Sequence, residues 1–337
     1  MKRVGHLFEP VVEFRNLLLA ARKAFRGKKR NSEAAAFYFD LENALLDLEL
    51  ELKEGRYRPQ PYRTFYVLEP KRRQICAADF RDRVVHHAIC NILEPILDGT
   101  LIFDTYACRK GKGTHAAVKR VQRFSKRFPY FLKCDIRGYF AHVDHRVLKG
   151  LLGRKIKDPS LLQLLHAIID HPVPGSPPGK GLPIGNLTSQ VFANLYLGEL
   201  DHLVKDRLSI KGYVRYMDDF LVFGADKATL RKALRDIKRF VEDDLSLEIK
   251  KEVLMMAPVS QGIPFLGFRI FPGTVRLNHR LKTRFGRKIK KRERQRNGGR
   301  ISEEFFVNSV NSMVAHISHA DTQAFRKSFF VEDPGFG

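Results

Sequence analysis

Residues 212–224 read GYVRYMDDFLVFG, an apolar and aromatic stretch that carries two adjacent aspartates, Asp218 and Asp219, at its centre. Glycines stand at both ends, and the aromatic and β-branched content predicts a strand, a turn and a second strand. Two adjacent carboxylates cannot both enter a core, because desolvation and mutual repulsion would drive protons onto them. At a hairpin turn both can point out of the sheet edge, and an Asp-Asp pair with no other role is most often such a polar turn.

A third isolated carboxylate changes this interpretation. Asp135 ends the short apolar strand predicted for FLKCDI, residues 131–136. A strand that ends on aspartate beside the hairpin would bring three carboxylates together, and such a cluster is stable only around cations. Carboxylate oxygens of this kind suit Mg²⁺, with Mn²⁺ as the alternative ion. A pair of such ions would activate a 3′-hydroxyl and stabilise the leaving pyrophosphate in an in-line displacement.

The composition limits the functions that need to be considered. The chain has 337 residues, 44% of them hydrophobic, which is enough to bury one large core or several smaller ones. Its formal net charge of +24 would repel strongly within a compact fold unless a polyanion, most simply nucleic acid, shares the surface. The cysteines lack C-x-x-C spacing, and no apolar run approaches the roughly 18 residues of a membrane span. We therefore expect a cytoplasmic protein that has no membrane partner.

The order of the predicted elements indicates an α+β fold. Helical periodicity over residues 11–54 predicts a helical N-terminal extension, and residues 57–71 predict strands joined by a basic turn. Residues 171–185 are rich in proline and glycine and predict a loop, while Asp144 and Asn186 are predicted N-caps. After the Asp-Asp hairpin come an amphipathic helix and two strands, LSLEIKKEVLMM and IPFLGFRIF. Because strands and helices mix without a regular βαβ repeat, we expect α+β rather than a doubly wound fold.

Four motifs resemble the palm motifs of reverse transcriptases. They are KCDIRGYF, LPIGNLTSQ, YMDD and FLGFRI, and they occur in the order and spacing of that family. The resemblance covers residues 57–325 and implies a right-hand polymerase fold with fingers, a palm in which an antiparallel sheet packs on helices, and a helical thumb. The implied division is an N-terminal helical extension (1–56), fingers (57–130), a first part of the palm (131–150), a fingers–palm loop region (151–185), the palm (186–272) and a basic helical thumb (273–337).

The same resemblance implies the residues of the active site. Asp135, Asp218 and Asp219 match the metal-binding carboxylates, and Ile136 lends a backbone carbonyl. Phe140 stands where these enzymes place the aromatic side chain that excludes a 2′-hydroxyl, so the substrates should be deoxynucleoside triphosphates and the product DNA. Further positions implied to contact the substrate are Ile184, Gly185, Gln190, Tyr216 and Met217.

Basic residues near these motifs are predicted to contact phosphates. Lys71, Arg72 and Arg73 at the tip of the first hairpin would cover the triphosphate as a fingers element, the alternative being a solvated basic turn. The stretch YACRKGKGTHAA combines Arg109 and Lys112 with glycines, which suits contact with a phosphate backbone or a template. Its alternative is an ordinary basic loop.

The most basic segment lies near the C-terminal end of the resemblance. Residues 280–300 read RLKTRFGRKIKKRERQRNGGR, with eleven Lys or Arg and one acid, which is too one-sided for a salt-bridged helix. We expect it to bind template RNA and the cDNA–RNA duplex through phosphates, as a thumb would. The residues predicted to do so are Arg287, Lys288, Lys290 and Lys291. The alternative is a solvated helical face.

One motif departs from the common pattern of the family. Most reverse transcriptases read Gln-Gly-x-x-x-Ser-Pro where this chain reads IGNLTSQ, with Ile184 for the glutamine and Gln190 for the proline. This variant resembles the reverse transcriptases of diversity-generating retroelements, which are similarly short. That resemblance implies error-prone copying of template adenines into cDNA to diversify a target gene, with a small basic accessory protein as partner.

Two other functions remain open. One is another short bacterial reverse transcriptase, of phage-defence type or related to group II introns, and neighbouring genes would separate it from the retroelement enzyme. The other is a non-catalytic RNA-binding protein that retains the fold, which the intact set of three aspartates argues against. A second departure is Val253, which stands where many relatives carry a lysine, so a general-acid role for Lys250 or Lys251 is not implied.

Overall fold

Helices and strands alternate irregularly along the chain, which the computed structural model describes over residues 3–28, 32–68 and 72–330. The helices are α1 (Phe8–Val12), α2 (Phe14–Phe25), α3 (Ser32–Phe39), α4 (Leu41–Lys53), α5 (Phe80–Asp98), α6 (Thr114–Ser125), α7 (Tyr139–His142), α8 (His145–Lys155), α9 (Pro159–Asp170), α10 (Leu187–His202), α11 (Lys227–Asp243), α12 (His279–Asn297), α13 (Glu303–Ile317) and α14 (Gln323–Phe330). The strands are β1 (Arg63–Val67), β2 (Arg73–Ala77), β3 (Tyr130–Asp135), β4 (Gly212–Tyr216), β5 (Asp219–Gly224), β6 (Met255–Pro258), β7 (Ile263–Phe265), β8 (Phe268–Ile270) and β9 (Val275–Leu277). None of the helices in these described ranges is long and apolar enough to cross a membrane.

A four-stranded antiparallel sheet, ordered β4-β5-β3-β6, forms the centre of the fold. In β3, Leu132 and Cys134 belong to one hydrophobic cluster, whereas Phe131 belongs to a second. Successive side chains of a strand point to opposite faces, so both faces of this sheet are buried. Burial on both faces explains why these strands read as continuous apolar runs in the sequence rather than as alternating patterns.

Helices α5, α8, α10 and α11 cover one face of the sheet. In α10, Phe192 and Tyr196 are almost completely buried, and they share their cluster with Leu17 of α2 and Leu45 of α4. The predicted N-terminal extension is therefore helical, and in addition it packs into the same core as α10.

The other face is covered by α6, by the three-stranded sheet β7-β8-β9 and by helices α12 and α13. Phe265 and Phe268 of the small sheet, Phe285 of α12 and Phe306 of α13 are all buried there. The basic C-terminal helices consequently share a hydrophobic core with the central sheet.

A separate two-stranded hairpin, β1 with β2, stands beside this body. Every position of β1 is exposed, whereas Cys76 of β2 is buried. The backbone N–H of Cys76 donates to the carbonyl of Ile184 at 2.9 Å, which fastens the hairpin to the loop before α10. Residues 69–71, among them the predicted phosphate contact Lys71, lie outside the described residues.

Two of the strand predictions are wrong in detail. The stretch LSLEIKKEVLMM was expected to be one strand, but only β6 at its end pairs with β3. Upstream of β6, Ile249 forms a single bridge with Ile136 and the chain then makes a 3₁₀ turn at Lys251–Val253. The stretch IPFLGFRIF is a hairpin of β7 and β8 instead of one strand, because Leu266 and Gly267 adopt positive φ angles of 50° and 88° and reverse the chain.

The predicted helix caps differ in outcome. Asp144 caps α8 as expected, since its side chain accepts hydrogen bonds from the backbone N–H groups of Arg146 and Val147. Asn186 occupies the N-cap position of α10 without a side-chain capping bond. Its amide instead donates to the hydroxyl of Tyr62 at 3.3 Å.

Two of the predicted domain divisions fall inside continuous structure. The division after residue 150 lies within α8, and the division after residue 272 separates β8 from β9, which are hydrogen-bonded to each other. The divisions after residues 56 and 185 fall between elements, and the one after residue 130 falls one residue into β3.

Candidate active site

The two adjacent aspartates lie at the tip of the β4–β5 hairpin. Tyr216 pairs with Asp219, so Met217 and Asp218 form a two-residue turn between the strands. Met217 has a φ of 55°, a left-handed backbone conformation that residues other than glycine and asparagine rarely adopt. Asp135, the last residue of β3, lies directly opposite Asp219 in the register of β3 with β5. The sheet thus brings the three predicted carboxylates to one edge.

Burial disfavours the ionised form of Asp218 and Asp219. Burial, with added repulsion from Asp135 and Asp218, raises the pKa of Asp219 to about 7, although Lys133 opposes the shift. Burial and then the charge of Asp135 also raise the pKa of Asp218. Lys133 Nζ lies 3.1 Å from Asp219 Oδ2 and donates a second hydrogen bond to the carbonyl of Pro264. At Asp219, burial and repulsion from the other two carboxylates therefore outweigh the stabilising charge of Lys133.

The donor set suits a hard divalent cation. Asp219 Oδ1 is buried and has no hydrogen-bond partner among the described residues, so one carboxylate oxygen remains available to a ligand. Over residues 3–28, 32–68 and 72–330, no three Asp, Glu, His or Cys side chains already converge as a metal cluster. The chemistry of the oxygens thus fits a divalent ion, and its binding would require the side chains to close around it.

A cavity of about 660 Å³ opens at the carboxylates. Apart from the aspartates, the predicted residues that line it are Arg73, Ile136, Phe140, Ile184, Gly185, Gln190, Tyr216 and Met217. Lining residues that were not among the predicted contacts are Gly138, Tyr139, Ala141, Lys250 and Leu266. The fold therefore gathers most of the predicted substrate contacts around one space.

Phe140 is held firmly in the wall of this cavity. Its neighbour Tyr139 donates from its hydroxyl to the carbonyl of Ala193 at 2.5 Å and stands edge-on to the Phe140 ring, with 5.6 Å between ring centroids. The carbonyl of Phe140 accepts from the backbone N–H of Leu182 at 2.6 Å. The ring is thus fixed both through its backbone and by an aromatic contact.

Ile184 and Gly185 form the wall next to the β1–β2 hairpin. Gly185 has a φ of 127°, and a Cβ atom there would lie 3.0 Å from the carbonyl oxygen of Cys76. A larger residue would have to push β2 away, so this position requires glycine. The close approach places Arg73 of β2 on the rim of the same cavity.

Three other residues that were predicted to contact phosphates have partners within the protein: Arg72, Arg109 and Lys112. The guanidinium of Arg72 lies 4.2 Å from the centroid of the Tyr66 ring. Arg109 forms an ion pair with Asp98 and has a side chain only 10% exposed. Lys112 Nζ donates to the carbonyl of Phe103 at 2.8 Å and lies over its ring. Arg109 thus has a structural role that its sequence neighbourhood did not indicate.

The basic helix α12 divides its cations between two faces. Arg292 donates to Ser309 and Arg296 lies over the ring of Phe306, so these two hold α13 in place. An outward stripe at positions i, i+3, i+4 and i+7 lines a groove of about 730 Å³. The lining residues of this groove are Arg287, Lys290, Lys291, Arg294, Gln295, Gly298 and Arg300. Lys288, also predicted to bind nucleic acid, is exposed outside the groove.

The sequence pattern of the reverse transcriptase (RNA-dependent DNA polymerase) family matches residues 67–270, more than half of the chain. The chain belongs to the reverse transcriptase family. One similar protein is the group II intron-encoded protein LtrA of Lactococcus lactis subsp. cremoris, at 25% identity over 69% of this chain and 51% of LtrA. Another is protein YkfC of Escherichia coli (strain K12), at 26% identity over 65% of this chain and 69% of YkfC. This reverse transcriptase spans about half the length of LtrA.

Solved telomerase structures share the fold of this reverse transcriptase. Apo telomerase from Candida Tropicalis superposes with a TM-score of 0.52 at 11% identity, covering 73% of this chain and 54% of that chain. The same apo protein truncated from its C-terminal domain gives a TM-score of 0.50 at 13% identity, covering 69% and 59%. The predicted right-hand polymerase fold of mixed α+β class is thereby confirmed.

Proposed function

We propose that this reverse transcriptase copies an RNA template into DNA, with the 660 Å³ cavity as its nucleotide site. The observation that carries the proposal is that three carboxylates, the Ile184–Gly185 wall and Arg73 all face one space. A deoxynucleoside triphosphate needs acidic ligands for its cations, positive charge beside its phosphates and shaped walls around its sugar and base.

Each wall of the cavity has a distinct task in this proposal. Arg73 would bind the triphosphate, and Phe140 would occupy the space that a 2′-hydroxyl needs. Asp135, Asp218 and Asp219, with the carbonyl of Ile136, would hold divalent cations, for which we propose Mg²⁺ or Mn²⁺. Such ions, when bound, stabilise the charge that develops during in-line displacement and lower the pKa of the attacking 3′-hydroxyl.

Primer extension tests the polymerase proposal. The protein should extend a DNA primer annealed to an RNA template with deoxynucleotides in MgCl₂, and EDTA should stop the reaction. Asp135→Asn should abolish extension, whereas Asp144→Asn should not, because asparagine also caps helices and Asp144 lies outside the cavity. Binding of RNA by the wild type without any extension in MgCl₂ or MnCl₂ would favour the non-catalytic RNA-binding protein instead.

A finer proposal concerns fidelity. Ile184 and Gln190 both line the cavity, and isoleucine offers the incoming base pair shape and apolar contact without a hydrogen bond. A mispair then leaves no buried donor or acceptor unpaired, so discrimination is weak. We therefore propose error-prone synthesis. The resemblance of the IGNLTSQ motif to diversity-generating retroelements adds to this proposal that the errors fall at template adenines, that they serve targeted diversification and that a small basic accessory protein is the partner.

Sequencing of cDNA made from a defined RNA template tests this finer proposal. The wild type should misincorporate more often opposite adenine than opposite the other bases, and Ile184→Gln or Ile184→Asn should reduce those errors. Wild-type errors spread evenly over the four template bases would refute the mutagenic role. Equal adenine error rates in the wild type and both Ile184 variants would instead show that Ile184 does not determine these errors.

The similarity to LtrA favours a second candidate, a reverse transcriptase related to group II introns. Such an enzyme has the same polymerase chemistry and no need for adenine-specific errors. Sequencing the flanking DNA separates the two, because a template repeat and an accessory gene belong to the diversity-generating type alone.

A further inference from the structure

One arginine lies fully buried directly behind the catalytic turn. Arg215 belongs to β4, and none of its side chain is exposed. A guanidinium has five N–H donors, and Arg215 makes five hydrogen bonds inside the protein. Two of them go to Asp201 at 2.6 Å each, two reach the side chain and carbonyl of Asn194, and one reaches the carbonyl of Met217.

The partner carboxylate is held just as completely. Asp201 of α10 is fully buried, and it also accepts hydrogen bonds at 2.7 Å from the hydroxyls of Tyr213 and Thr105. A buried ion pair contributes little net stability, because the cost of desolvating both charges offsets their attraction. A network with every donor satisfied instead fixes the direction in which the guanidinium points.

We propose that Arg215 is the positioning residue of the catalytic turn: it holds the Met217 carbonyl so that Asp218 and Asp219 face their cations. The Nη1 atom of Arg215 lies 3.1 Å from that carbonyl, and Met217 has the left-handed φ of 55°. A backbone in this sparsely populated conformation persists only where its surroundings hold it. The peptide unit between Met217 and Asp218 is thus fixed from within the core. This inference rests on the proposed polymerase function.

Arg215→Lys tests the positioning role. Lysine can pair with Asp201, but its single nitrogen cannot reach Asn194 and the Met217 carbonyl as well. Removing groups that orient metal ligands typically costs tenfold or more in metal affinity or activity. We therefore expect the MgCl₂ concentration for half-maximal primer extension to rise about tenfold.

A second readout does not depend on polymerase activity. The increase in melting temperature on adding MgCl₂ or MnCl₂ without nucleic acid, followed by circular dichroism, should become smaller in Arg215→Lys. If the wild type shows this metal-linked increase but no extension, the polymerase proposal fails while the positioning role is still measured.

Two further variants separate positioning from simple stability. Arg120→Lys weakens another two-bond arginine pair, with the buried Asp104, and it should lower stability without changing the metal requirement. The double variant Arg215→Met with Asp201→Leu is expected to fold, because apolar pairs often replace buried ion pairs, yet it lacks that bond.

The double variant decides the outcome even if Arg215→Lys does not fold. A raised MgCl₂ requirement in every Arg215 variant that folds, but not in Arg120→Lys, supports the proposal. A wild-type MgCl₂ requirement and metal-linked melting shift in either folded variant would overturn it, as would an equal rise in Arg120→Lys.

Discussion

The β4–β5 turn and helix α12 differ in whether their charged side chains are buried or exposed. At the turn, three carboxylates share a cavity, and burial raises the pKa of Asp219 to about 7. On α12 the stripe cations Arg287, Lys290 and Lys291 are exposed and spread along one helical face. The few buried charges resist ionisation, whereas the many exposed charges are solvated and screened by salt.

This difference teaches that burial decides how much each charge contributes. A buried carboxylate with a raised pKa is ionised more readily when a cation binds directly beside it. An exposed lysine contributes a small and nearly independent share to the binding of a polyanion. One substitution at the turn should therefore reduce function more than several substitutions on α12 do.

The largest expected effect is that of Asp218→Asn. Loss of one charge from the cluster should lower primer extension by about a thousandfold, because metal binding and transition-state stabilisation are weakened together. The melting temperature in EDTA should hold or rise, since a repelling charge has been removed. Undiminished extension would show that the turn is not the catalytic site.

Neutralising the α12 cations should have a moderate effect. With Arg287, Lys288, Lys290 and Lys291 all changed to alanine, the slope of log K against log salt for RNA binding should flatten by about one for each phosphate that the helix no longer neutralises. A matched control replaces four exposed cations of α11, Arg231, Lys232, Arg235 and Arg239, and should leave the slope unchanged. Equal slopes in wild type and the α12 variant would make that stripe a solvated face.

The part of the cavity wall formed by Phe140 carries no charge, and it tests how shape alone selects the sugar. Phe140→Ala should open space for a 2′-hydroxyl and raise ribonucleotide incorporation, with roughly tenfold to a hundredfold less discrimination. Phe39→Ala serves as the control, because that ring is 96% exposed and outside the cavity. If Phe140→Ala discriminates against ribonucleotides as strongly as Phe39→Ala and the wild type do, a residue other than Phe140 selects the sugar.

The smallest expected effect is on stability against pH. The folded-state pKa of Asp219, about 7, lies above its ordinary value of 3.8, so the folded form binds the proton more tightly. The resulting stability is complete below about pH 4 and is lost as the pH rises to about 7. In EDTA, the melting temperature of wild type relative to Asp219→Asn should fall by about 2–4 °C across that range. A constant difference would mean that Asp219 ionises normally.

The sequence predicted that three carboxylates meet at one sheet edge, but it did not predict their surroundings. Asp135, Asp218 and Asp219 could be found because each carboxylate interrupts or ends an apolar strand, and strand order then brings them together. The ion pair between Lys133 and Asp219 was not predicted, although Lys133 lies two residues before Asp135. The sequence does not show which residue of a neighbouring strand a given side chain will face.

Long-range pairing explains most of what could not be predicted. The glycine-rich loop around Arg109 predicts an unpaired cation, yet Arg109 forms an ion pair with Asp98. Arg215 reads as a surface-type residue within a strand, and only the packing of α10 supplies Asp201. A sequence shows how many charges there are, but their partners depend on the tertiary fold.

The contact between Gly185 and Cys76 makes the hairpin and the cavity wall one mechanical unit. The carbonyl of Ile184 accepts from Cys76, and the absence of a side chain at Gly185 leaves no slack between the two segments. In the proposed function, any rotation of the β1–β2 hairpin that carries Arg73 toward a triphosphate would also shift Ile184 against the base pair. Phosphate binding and tolerance of a mismatch would then depend on one movement, so a substitution in the hairpin would alter copying accuracy without contacting the base.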